Sequence, residues 1–258
     1  MKTGINKILF NLTSYNMMLL LSMRTLAAFF IFLFLFTVQI KPCYAREFFE
    51  KLPQFSRLEI RGRIVVQIDK DDDNIVTNAD NSMRINVRSG SIGEIDYFIS
   101  GETLVLRRRT SGFQTRNITI NLNISNPISH LDVSSGALVR TYRNIFTENA
   151  EIRAETDSYL DLFANTSSLV INCGRSSTII IKGRVNQVEA RTVNGGLIDA
   201  EALAASRAFV YAYTGSTIRI NALEYLEAAA GMRSFVYYKQ TPSVKHLTEL
   251  AGGEYIEF

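Results

Sequence analysis

The side chains able to do chemistry in this chain are few and widely spaced. The densest acidic run is "DKDDDN", Asp69 to Asn74, where Asp69, Asp71 and Asp73 take the first, third and fifth positions of a calcium-loop spacing and Asp80 the twelfth. Such a loop needs glycine at its sixth position for the sharp turn and a bidentate glutamate at its last; here Asn74 and the shorter Asp80 hold those places. Asp69, Asp71 and Asp73 are therefore weak metal candidates, and a solvated hairpin tip accommodates the same residues more readily. His130 and His246 are the only histidines, and no HExxH or CxxC spacing surrounds them. Neither a G-x-S-x-G nucleophile elbow nor a glycine-rich loop between a strand and a helix is present. The reading is a non-enzyme with no catalytic residue and no cofactor.

Two further patterns could still carry function. Inverting cleavage of a polysaccharide needs an acid and a base roughly 6.5–9.5 Å apart. Asp157 with Asp161, or Asp199 with Glu201, are the candidate pairs for an alternative reading as a lyase or glycosidase, but no basic cluster accompanies them. The second pattern is aromatic. Phe209, Tyr211 and Tyr213 alternate along one strand face, and Tyr237 and Tyr238 follow. Turned outward, Tyr211, Tyr213, Tyr237 and Tyr238 would form an amphipathic platform for a protein or glycan ligand; turned inward, they would fill the core.

Among the elements that must position these residues, the first 45 residues do not count. "LAAFFIFLFLFTV", Leu26 to Val38, is preceded by Arg24 and followed by "PCYA", with small Cys43 and Ala45 at the two positions a signal peptidase reads. Cleavage is expected after Ala45, with residues 1–45 a signal peptide whose own start is Met23. As an uncleaved anchor the run is short for a span of roughly 20 residues, and Lys41 and Pro42 do not suit a lipidated cysteine. The formal net charge of +3 resides in this leader: taking away Lys2, Lys7, Arg24 and Lys41 leaves 24 basic against 25 acidic side chains. A nucleic-acid partner thus has no electrostatic support, and Arg107 to Arg109 read as a solvated strand end. Cys173 is the one cysteine beyond the leader, expected to be buried and inert.

The remainder has no tryptophan, four prolines in the whole chain and abundant Ile, Val, Leu, Thr and Asn, which is a β-protein composition; only Asp199 to Arg207 is a helix-capable run. From Leu131 onward, apolar-alternating segments recur around small-residue breaks, among them "LDVSSGALV" at 131, "VINCGRSSTIII" at 170, "VEARTVNGGLIDA" at 188 and "VYAYTGSTIRI" at 210. The breaks fall at Gly136, Asp157, Arg175, Gly195, Gly215, Gly231 and Gly252, a mean step of about 19 residues. Read alone, Asn194-Gly195-Gly196 signals a hairpin. Read in the repeat, it is one corner of a coil, and stacked coils align columns such as Leu131, Ile152 and Val170. The expectation is an all-β chain forming a right-handed parallel β-helix, a β-solenoid, of about seven rungs over 127–258. Residues 46–126 are expected to form an antiparallel section capping the first rung, with strands paired around the Asp69 to Asn74 turn.

The opening "FSRLEIRGRIVVQI", the strand "GETLVLRRR", the small-residue corners and the ending "FVYYKQTPSVKHLTELAGGEYIEF" make the chain resemble the "putative auto-transporter adhesin, head GIN domain" family over roughly residues 53 to 258. Asp157 and Arg175 depart from that family's small-Gly-x-Gly corners. The resemblance implies one β-solenoid domain over 46–258 and a bacterial location at the periplasm or cell surface, with adhesion or an envelope structural role. It does not imply an established activity; the expected partner is a protein or glycan ligand, with no membrane span once the leader is removed. Edge pairing at Glu254 to Phe258 would allow end-to-end homo-oligomers.

Overall fold

Four strands of 15 or 16 residues set the architecture: β11 (Tyr159–Cys173), β12 (Thr178–Thr192), β13 (Leu197–Ala212) and β14 (Thr217–Gly231). In the computed structural model, which describes residues 46–70, 81–87, 92–109 and 118–258, each pairs in parallel with the next. Tyr159 lies beside Thr178, Thr178 beside Leu197 and Leu197 beside Thr217, so one strand and one corner complete a turn. The spiral continues through β15 (Phe235–Tyr238), β16 (Val244–Leu250) and β17 (Glu254–Glu257), to about seven turns. The expected leader and the cleavage expected after Ala45 lie outside the described residues, as do Asp71 and Asp73.

Burial phase shows how one strand goes round. Along β13 the buried positions are Ile198 and Ala200, then Leu203 and Ala205, then Ala208, Val210 and Ala212. Alternation by two keeps side chains inside. A step of three occurs twice, each time as the strand bends, and the corner provides the third vertex of a three-sided coil. Register shifts between neighbouring turns fall at the same bends, between Ile180 and Lys182 and between Ala200 and Ala204, so rungs of unequal length stay aligned elsewhere. The interior is columnar: Val139, Leu160, Ile179, Ile198, Ile218 and Val236 form one file, and Leu131, Ile152, Ile171, Ala190, Val210 and Ala228 another. Ile171, not Val170, holds the place expected for the second file. Val170 faces outward beside Glu151 and Glu189, one residue out of phase.

Each corner carries two consecutive residues in the left-handed region, the backbone of a type I′ turn. The pairs are Ser135-Gly136, Thr156-Asp157, Arg175-Ser176, Asn194-Gly195, Thr214-Gly215, Met232-Arg233 and Ala251-Gly252. Asp157 (φ 58°) and Arg175 (φ 49°) adopt the geometry without glycine. Bonds between stacked corners offset a strain of order 1–2 kcal/mol per residue: Asp157 N–H donates to Arg175 O at 3.0 Å and Gly195 N–H to Thr214 O at 3.0 Å. The asparagine-glycine signal thus gives the right turn type, but the chain leaves it for the next coil. At the sixth corner Gly231 ends β14, and Met232-Arg233 form the turn.

The N-terminal section does more than cap. β1 (Arg46–Lys51), β4 (Ser82–Val87) and β5 (Ile95–Ser100) are antiparallel, as expected of a cover. β2 (Arg57–Arg61), β3 (Val65–Ile68), β6 (Thr103–Arg108) and β7 (Ile118–Asn123) instead join the spiral in parallel. β2 and β3 lie between β6 and β7 on one side and β8 (Ile128–Ser134) and β9 (Leu138–Thr141) on the other. Because β7 and β9 occupy both edges of β3, the hairpin expected between β3 and β4 does not form. β4 pairs with β1 and β7. β10 (Phe146–Glu155) links β8 to β11. The helix-capable run at Asp199 to Arg207 is strand, held by neighbours on both edges.

Candidate binding face

A parallel coil with a filled interior offers only its outer faces, so the candidate site lies where outward positions hold aromatic side chains. On β13, Val210 and Ala212 are fully buried, which sends Phe209 and Tyr211 outward. Phe209 meets the Tyr225 ring at 5.5 Å between centroids, and Tyr225 meets His246 at 5.8 Å. The Arg191 guanidinium lies 5.5 Å from the centroid of the Tyr211 ring, within cation–π range. Glu227 receives two phenols, the Tyr211 hydroxyl on Oε1 at 3.4 Å and the Tyr225 hydroxyl on Oε2 at 3.1 Å. The Tyr211 phenol is raised above its ordinary value by burial and then by Glu227, and that of Tyr225 chiefly by its bond to Glu227. Both remain hydrogen-bond donors at neutral pH. Beside them Arg207, Phe209, Glu224, Tyr225, Ser243 and Val244 line an open groove of about 550 Å³.

The four tyrosines read from the sequence do not form one platform. Tyr211 and Tyr213 belong to the segment before a corner, whereas Tyr237 follows one; it lies beside Arg219, whose guanidinium stands 5.5 Å from its ring, and between Phe235 and Phe258 at 6.3 and 6.4 Å. The two groups occupy different sides of the coil. Tyr238 points inward and is 6% exposed. Lys245 Nζ donates to its hydroxyl at 3.1 Å and lies over its ring, so Tyr238 is a core residue and not part of a surface. Glu227 is the member of this group that the sequence does not single out; what joins it to Tyr225 and His246 is the register, which places Tyr225 beside Arg207 and Glu227 between Phe209 and His246.

Other candidate groups are engaged structurally. Asp69 is 3% exposed in its side chain, accepts from Ile124 N–H at 2.9 Å and pairs with Arg143 Nε at 3.1 Å, although burial outweighs these and raises its carboxyl above the usual range. His130 and His246 fall in one column six turns apart, roughly 29 Å at the spacing of stacked strands. His130 pairs with Ser129 Oγ at 2.8 Å and stands 3.6 Å from Glu151. Among the described residues, no three His, Cys, Asp or Glu side chains gather as a metal site. Of the carboxylates, Asp157 sits in a corner and Asp161 is held by Arg140 at 3.0 Å. Asp199 accepts from Glu201 N–H at 3.3 Å, and Ile180 separates Asp161 from Asp199 by a full rung. These acids do not converge on a cleft, so the glycosidase alternative is not favoured. Arg107 and Arg109 bind Asp96 at 3.0 and 2.6 Å, holding its carboxyl below the ordinary range, Arg109 first. Cys173 is buried, its thiol donating to Ser177 O at 3.2 Å and pushed up to about 12 by burial.

A filled three-sided parallel β-solenoid with aromatic side chains at outer positions defines the class of fold. The chain belongs to the family described as "Putative auto-transporter adhesin, head GIN domain", whose model matches residues 54–242. Its fold is similar to that of a solved structure titled as a putative adhesin from Bacteroides fragilis, at 17% identity and a TM-score of 0.69, covering 83% of this chain and 96% of that one. A second, from Parabacteroides merdae, gives 14% identity and a TM-score of 0.64 over 83% and 95%. A third, from Parabacteroides distasonis, gives 17% and 0.58 over 84% and 98%. No curated protein matches the chain. Among the described residues no helix is long and apolar enough to cross a membrane.

Proposed function

We propose that this chain is an exported, non-catalytic envelope or surface protein that binds a protein or glycan ligand through the outer face bearing Phe209, Tyr211 and Tyr225. The observation carrying the reading is the geometry of that face. Three aromatic rings stand at outward positions, Glu227 fixes two hydroxyls, and a groove with Arg207 and Glu224 adjoins them. Rings of this kind offer flat apolar area with polar rims, suited to the apolar face of a sugar or to a partner's side chains. The family and the leader support export, and the scattered carboxylates support binding without turnover. A glycan array and a pull-down from cell envelopes, comparing the wild type with Phe209→Ala and Tyr211→Ala, test it. At least a tenfold loss of capture is expected in either variant, the scale of a central contact worth about 1.4 kcal/mol or more. Release of reducing sugar from a bound polymer, or capture unaltered in both variants, would overturn it.

A further inference from the structure

The two ends of the solenoid differ. At the N-terminal end, β6 and β7 have their outer edges taken by the antiparallel strands β5 and β4. At the other end, β16 pairs only with β14, and β17 only with β15, among the described residues. All seven residues of β16 are exposed, including Val244 at 43%, Leu247 at 36% and Leu250 at 45%. We propose that this edge is a self-complementary interface on which a second copy of the chain docks, β16 against β16, antiparallel about a two-fold axis at Leu247. This edge adjoins the aromatic face and shares Val244 with its groove, but Lys245, Leu247 and Glu249, on which the pairing turns, do not line that groove, so variants at those positions test the interface separately from ligand binding.

Register selects the pairing. In "VKHLTEL", Lys245, Leu247 and Glu249 lie over the buried Leu226, Ala228 and Ala230, so they project toward the axis of the coil. Val244, His246, Thr248 and Leu250 project outward. Opposed residues in an antiparallel pair share a face, so inward residues must meet inward ones, and every odd shift is excluded. Centred on Leu247, the pairing sets Val244 against the second copy's Leu250, Lys245 against its Glu249, His246 against its Thr248, and Leu247 against its own counterpart. Apolar meets apolar and opposite charges meet twice. A shift of two residues in either direction sets Lys245 against leucine or alanine and leaves Glu249 facing leucine or serine. Inward charges at a sheet edge ordinarily deter pairing; here they deter all registers except one. Antiparallel strands cover the parallel edges of β6 and β7, so among the described residues the spiral offers an unpaired parallel edge at its C-terminal end, and a two-fold contact there is tail to tail, a closed arrangement and not a filament.

Sedimentation equilibrium of the full chain, in the form its host cell delivers, tests the interface. The wild type is expected at twice the single-chain mass. Glu249→Lys, and separately Lys245→Glu, sets like charges opposite one another twice and is expected to weaken the dimer at least tenfold. The double variant restores the opposite pairs and is expected to recover the dimer. Circular dichroism verifies that each variant retains its strand signal, which matters for Lys245 because it also contacts Tyr238. Under mild oxidation Leu247→Cys is expected to give a disulfide-linked pair and Thr248→Cys not. A single-chain mass for the wild type, a dimer indifferent to Glu249→Lys, or cross-linking equal at the two cysteine positions would overturn the proposal.

Discussion

Ile179 and Ile180 are adjacent and chemically identical, yet the coil assigns them opposite fates. Ile179 is fully buried between Leu160 and Ile198, whereas Ile180 faces outward between Asp161 and Asp199. Truncating Ile179 to alanine removes its transfer free energy and leaves a cavity. Buried Ile→Ala changes cost about 2–5 kcal/mol, depending on how far the surroundings collapse. Here both neighbours hang from backbone ladders fixed on each side, so collapse is limited and about 4 kcal/mol is expected. Ile180→Ala removes a partly exposed side chain with solvent on its outer side, and about 1 kcal/mol is expected. Guanidinium unfolding followed by far-ultraviolet circular dichroism reads both, and the larger loss is a substantial share of the about 5–15 kcal/mol that holds a domain. Equal losses at the two positions, or the greater loss at Ile180, would refute the burial phase on which the three-sided coil rests.

Glycine requirements are equally selective. Gly183 has φ +126° and a methyl there would stand 2.0 Å from Ala164 O, whereas Gly215 at φ +67° has nothing within 4 Å. Gly183→Ala is therefore expected to cost about 3 kcal/mol or more and Gly215→Ala about 1, measured by thermal unfolding. The Cys173 thiol supplies a pH dependence. Its folded pKa of about 12 lies above the unfolded value of 9.0, so its contribution is intact below pH 9 and is lost as pH rises from 9 toward 12. Cys173→Ala is expected to flatten that alkaline decline in unfolding free energy. The native thiol is expected to resist alkylation at pH 8, followed on the Cys173 peptide by mass spectrometry.

Much of the spiral was legible because its signals are local. Corner residues recur at nearly constant intervals, and alternation within each segment names Leu131, Val133, Ile218 and Ile220 as interior, all of them buried. What escaped was whatever depends on the phase of a bend or on a distant partner. The sequence points to Val170 where Ile171 belongs, because a step of three inside a strand leaves no mark in composition. The alanine-rich stretch of β13 has helical propensity, but paired edges and a narrow interior override it. Adjacency in sequence groups Tyr237 with Tyr238, although neighbours in a strand point to opposite faces. The cluster of Phe209, Tyr225 and Glu227 needs contacts between turns, such as Phe209 with Tyr225 and Tyr211 with Glu227, each 16 residues apart, visible only once the register is known.

The placement of β2 and β3 between strands far along the chain bears on the order in which the molecule assembles. Arg57 pairs with Thr103 and with His130, separations of 46 and 73 residues, while later turns pair at 19, as Tyr159 does with Thr178. Closing a 73-residue loop in place of a 19-residue one costs about 1.2 kcal/mol more in chain entropy. Consecutive coils should therefore zip first and the earliest-made segment should lock last, so a chain delivered N-terminus first stays open until Thr141 has followed. Pulse-labelling by hydrogen exchange during refolding would register this as late protection of Leu58 and Ile60 relative to Ile179 and Ile198.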